Sequence, residues 1–61
     1  MTISAIENII SNIETGEHND VLGSTVVHNT DGTYSVVDNG EEVVCDTAQR
    51  AAEIVKENAG E

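Results

Sequence analysis

The sequence predicts an α+β fold: a helix, a three-stranded antiparallel β-meander and a second helix, with the helices packed mainly on one sheet face. Three observations carry this. Near the N-terminus Ile3, Ile6, Ile9, Ile10 and Ile13 recur at the spacing of one helical face. Two turn dipeptides, Asp31-Gly32 and Asn39-Gly40, punctuate valine-rich runs, as consecutive hairpins require. A second helical stripe, Ala48, Ala51, Ala52, Val55 and Ala59, precedes Gly60. The chain of 61 residues reads as one small acidic domain, residues 1–61, able to bury only about 60% of its unfolded surface.

In the first helix Ser4-Ala5-Ile6-Glu7 has the spacing of a capping box, with Ser4 as N-cap and Glu7 at N3. Gly16 is the expected stop. Glu14 and Glu17 then lie near the C-terminal end, where the macrodipole disfavours negative charge.

The two Gly-containing dipeptides are the favoured central pairs of two-residue type I′ turns, which need φ > 0 at both positions. Two-residue turns fix a register. Thr30 pairs with Thr33, Val27 with Val36 and Val26 with Val37, then Asp38 with Glu41, Val36 with Val43 and Tyr34 with Cys45. Alternation places Val27, Tyr34, Val36, Val43 and Cys45 on the face expected to receive the helices, and Val26, His28, Ser35, Val37, Glu42 and Val44 on the other. The last helix begins at Asp46 or Thr47, either of which can cap it. Its small alanines permit close approach to the sheet.

Twelve acids face two bases, a formal charge of −10, and no lysine or arginine precedes Arg50. Self-repulsion of this density opposes the compact state and favours attraction to cationic surfaces. With no Trp or Phe and a single Tyr, the core must come from Ile, Val and Ala. A lone cysteine, Cys45, allows no internal disulfide and points to a reducing compartment. No segment resembles a signal peptide or a membrane span, so the expectation is a soluble cytoplasmic protein.

Little in the chain supports catalysis. His18 and His28 are the only imidazoles, and the register puts His28 and Cys45 on opposite faces. Asn29-Thr30-Asp31-Gly32 is similar to part of a calcium loop, but Val27 and Asp38 stand at its first and twelfth positions. We expect no enzyme activity, no catalytic residues, no cofactor and no metal. Direct nucleic-acid binding fails because it requires Lys and Arg to neutralise phosphates.

The carboxylates remain as the functional signal. In a three-stranded meander the Glu17–Gly23 loop arrives at the Asn39-Gly40 end. Glu14, Glu17, Asp20, Asp38, Glu41 and Glu42 should gather there as a partner-binding surface, joined by Glu57 and Glu61 from the last helix. Asp38 and Glu41 are a destabilising like-charge cross-strand pair, which argues against a purely structural role.

A short acidic chain with this element order resembles the small phage-encoded anti-CRISPR proteins and other DNA mimics. The resemblance lies in size, charge and element order, and it carries over no individual residue. It implies a non-enzymatic inhibitor in the host bacterial cytoplasm that blocks the basic DNA-binding groove of a defence complex, such as a CRISPR effector. The expected state is a monomer or weak homodimer. The alternative is a small structural or assembly protein that self-associates or binds a subunit through Val26, Val37 and Val44.

Overall fold

A computed structural model describes all residues from Met1 to Glu61. Helix α1 spans Ile3–Ser11, strands β1–β4 span His18–Val21, Ser24–His28, Tyr34–Asp38 and Glu41–Cys45, and helix α2 spans Ala48–Asn58. The strands form one antiparallel sheet in sequential order. The α+β class is as expected, but the meander has four strands rather than three.

The additional strand is β1. It joins β2 through Leu22 and Gly23, at φ 50° and 87°, with Val21 opposite Ser24. Both central residues thus have the positive φ of a type I′ turn. An L-residue with a bulky side chain occupies this region at a cost of about 1–2 kcal/mol. Leu22 offsets it by packing against the core. Nothing in a Leu-Gly dipeptide announces a hairpin, so this turn is not legible from local sequence.

The first expected hairpin also differs. Asp31 lacks positive φ, and only Gly32, at φ 90°, is left-handed. The Gly32 amide donates to the Asn29 carbonyl at 3.0 Å, and the Asn29 amide to the Thr33 carbonyl at 2.8 Å. These bonds define a three-residue loop, Thr30-Asp31-Gly32, ending in a G1 bulge. Asp31 fixes it by accepting from the Thr33 hydroxyl at 2.6 Å and the Thr33 amide at 3.0 Å. These two bonds hold the Asp31 carboxyl below its ordinary pKa.

One extra loop residue slips the register by one, so Val26 faces Val36 and Val27 faces Ser35. A one-residue slip turns a strand over. Val26 therefore lies fully buried in the core, and Val27 on the opposite, open face is half-buried. The second hairpin has the expected register, Asp38 opposite Glu41, Val36 opposite Val43 and Tyr34 opposite Cys45. Asn39 and Gly40 both have positive φ, 55° and 80°.

Both helix starts are capped by threonine. Thr2, not Ser4, caps α1, its hydroxyl accepting from the Ala5 amide at 3.1 Å. The helix ends at Asn12 rather than running to Gly16. Gly16 instead opens a second G1 bulge, its amide donating to the His28 carbonyl while the His28 amide donates to the Glu17 carbonyl. Thr47 caps α2, accepting from the Arg50 amide. Gly60 ends it in a Schellman motif, with the Glu61 amide donating to Lys56 and the Gly60 amide to Glu57.

The core lies between the helix pair and one sheet face. Ile6 and Ile10 of α1, Val26 and Val36 of the sheet, and Ala51, Ala52 and Val55 of α2 are all essentially inaccessible. The two helices pack chiefly on each other, and α2 lies mainly over β3, with lesser contact to β2 and β4. The alanines allow this closeness, since a longer side chain at Ala51 or Ala52 would push the layers apart. Two buried serines find partners: Ser35 accepts from the Asn29 side-chain amide at 2.9 Å, and Ser24 from that of Asn58 at 3.5 Å.

Candidate functional site: carboxylates on the β3–β4 hairpin

The type I′ turn projects Asp38 and Glu41 from the sheet end as its closing pair. With Val36 and Val43 they point to the helix side, where they border a small cleft of about 190 Å³ beside Asn58. The C-terminal end of α2 lies at this cleft, so the negative end of its dipole faces two carboxylates. Glu42, the next residue, points to the open face. The hairpin therefore shows acid on both sides of the sheet, on backbone held rigid by its ladder.

Along the open face Asp20, Thr25, Val37 and Glu42 form one cross-strand row. Its two carboxylates sit on opposite sheet edges, about 14 Å apart by strand spacing. Thr25 donates its hydroxyl to Asp20 at 3.0 Å.

Glu14 and Glu17 do not join this group. The extra strand reverses the chain once more, so the segment leaving α1 enters the sheet beside His28, at the Tyr34 end. That end lies about 13 Å along β3 from Asp38. Glu14 and Glu17 instead border a shallow cleft of about 450 Å³ between α1 and β1, with Asn12 and His18. The single acidic pole expected from a three-stranded meander is thus split. Asp38, Glu41 and Glu42 stay together, Asp20 flanks them across the open face, and Glu14 and Glu17 form a second acidic end. Asn58 shows that α2 runs back toward the Asn39-Gly40 end, as expected.

Few of these charges are neutralised. Of the twelve side-chain carboxylates, only Glu53, paired with Arg50 at 2.9 Å, and Glu61, paired with the Met1 amino group, have an ion-pair partner. The hydrogen bond from that amino group and its charge lower the Glu61 pKa. Lys56 donates to the Met1 carbonyl at 2.7 Å rather than to an acid. The other ten carboxylates face solvent or neutral donors.

The slipped register places His28, Tyr34 and Cys45 in one row on the helix-side face, correcting the expectation that His28 and Cys45 are on opposite faces. Tyr34 separates them. Its ring stacks on the His28 imidazole with centroids 4.4 Å apart, while His28 Nδ1 bonds the Ile13 carbonyl at 2.9 Å. The imidazole thereby ties the end of α1 to the sheet, a constraint with no trace in the sequence spacing. Burial raises the Cys45 pKa, which keeps the thiol protonated and unreactive at neutral pH. No group of three or more His, Cys, Asp or Glu side chains is placed to hold a metal ion.

Two hydrophobic side chains of β4 are also exposed, Val43 at 42% and Val44 at 59%. The sequence placed Val43 under the helices, but α2 centres on β3 and covers the outer strand only in part, burying Cys45 while Val43 stays exposed. No helix is long and apolar enough to cross a membrane. No family model, curated protein or solved structure significantly matches the chain.

Proposed function

We propose that the protein is a non-enzymatic acidic inhibitor that occupies a basic, nucleic-acid-binding groove on another protein, in the manner of a DNA mimic. The observation that supports this is the set of ten carboxylates without a cation, three of them on one rigid hairpin. A chain at −10 gains nothing in stability from this surplus. A partner rich in Lys and Arg gains charge-assisted hydrogen bonds from it. The mechanism is competition, with Asp38, Glu41 and Glu42 taking the cations that phosphates otherwise hold. A DNA-reading complex of bacterial defence, such as a CRISPR effector, is the partner class that the resemblance in size and charge favours, in the bacterial cytoplasm.

The rival reading, an interface of Val26, Val37 and Val44, loses Val26 to the core. Val27 takes its place on the open face beside Val37 and Val44.

The test is retention of a basic DNA-binding protein from bacterial lysate on the immobilised chain. Retention should fall steeply between about 50 and 200 mM salt, and duplex DNA should displace the partner. Asp38→Lys, Glu41→Lys and Glu42→Lys together should abolish it, while Glu53→Lys should not. Retention that ignores salt, DNA and the triple reversal overturns the reading.

A further inference from the structure

We infer that the outer edge of β4 is a strand-addition site for an extended basic segment of the partner, an inference that rests on the acidic-inhibitor reading and specifies how contact is made. In a two-residue hairpin the closing pair, Asp38 and Glu41, exchanges both backbone bonds, and bonding then alternates along the strand. Glu41, Val43 and Cys45 therefore turn their amides and carbonyls to β3. Glu42 and Val44 turn theirs outward. β4 has β3 as its only neighbour in the sheet, and no turn, loop or cap bond uses the outward groups.

An open edge of this kind is a template for another strand. Acids at both ends of this edge guard it against like-charged strands, while its two exposed valines, Val43 on one face and Val44 on the other, remain for a partner strand to cover. Charge then selects the occupant. Glu41 and Glu42 precede the valines, and Asp46 follows Cys45. The complementary antiparallel strand has two β-branched apolar residues opposite Val44 and Val43, followed by two basic residues opposite Glu42 and Glu41. A second copy of this chain is disfavoured, because pairing would bring together two bodies each at −10.

The probe is a capped synthetic peptide, Thr-Val-Val-Lys-Lys-Thr, titrated into the ¹⁵N-labelled protein. Saturable shifts of the Glu42 and Val44 amides are expected, with those of Glu41 and Val43 protected throughout. The decisive variant is total synthesis of the chain with the Val44 amide N-methylated, which removes one outward donor and leaves side chains and charge intact. It should weaken peptide binding about tenfold or more, the loss of roughly 1.4 kcal/mol. Unchanged affinity overturns the edge site. If the methylated chain still retains its basic partner from lysate with the salt and DNA sensitivity given above, the acidic-inhibitor reading stands without strand addition. Absence of peptide binding at β4 overturns the inference too, as does concentration-dependent dimerisation abolished by the same methyl group.

Discussion

Replacing Val26 and Val27 one at a time by threonine tests the three-residue loop directly, because the two candidate registers predict opposite results. Threonine keeps the β-branched shape and strand propensity of valine, so the hydroxyl is the main change. Val26 is inaccessible among Ile, Val and Ala side chains. A hydroxyl there, without a partner, costs about 1–3 kcal/mol. For a domain of this size each kcal/mol moves Tm by about 4–8 °C, so Val26→Thr should lower Tm by roughly 4–24 °C. Total stability is itself only about 3–9 kcal/mol at the usual 0.05–0.15 kcal/mol per residue, and the upper end would unfold much of the protein at 37 °C. Val27 is half-buried on the open face, where the hydroxyl reaches water and the change should stay within about 0.5 kcal/mol. Melts followed by far-UV circular dichroism measure both. A larger loss at Val27 would show that β2 pairs in the two-residue register, and equal losses would contradict the burial difference that the three-residue loop creates.

Ile10→Ala should cost about 2–5 kcal/mol, since Ile10 is wholly inaccessible, whereas Ile9→Ala, at a half-buried position, should cost distinctly less. Equal denaturant midpoints for the two variants would contradict the rotation of α1. Added salt should raise Tm, because it screens the repulsion among ten carboxylates that have no cation; a fall in Tm between about 20 and 500 mM NaCl would mean attractive pairs dominate. Asp31 has a lowered folded pKa, so its contribution is complete above the unfolded value of about 3.9 and is lost as pH falls through the lowered one. Asp31→Ala should therefore destabilise at pH 7 and approach wild type in strong acid, as read from the difference between their urea midpoints across pH.

Local chemistry by itself determined a good part of this protein. The isoleucine spacing marked α1 and its buried face, the alanine stripe after Asp46-Thr47 marked α2, and Asn39-Gly40 set both the turn and the register of β3 against β4. In each case the signal is short-ranged, a periodicity or a pair of residues whose backbone preferences leave one solution. The net charge and its uneven placement along the chain were equally legible.

Tertiary structure decided the rest. Leu22 adopts a left-handed conformation that its own preference opposes, and packing of its side chain on the core helps to hold it there. That turn creates β1, and β1 sends Glu14 and Glu17 to the opposite end from Asp38 and Glu41. Asp31-Gly32 is compatible with a two-residue or a three-residue loop, and burial of Val26 and the Asn29–Ser35 bond accompany the longer one. The position of α2 over β3, which no local pattern encodes, leaves Val43 exposed on the helix side. Charge is a property of the chain, but which charges stand together and which strand edge stays open are properties of long-range packing, because only contacts between distant segments choose among turns that local preference leaves nearly equal.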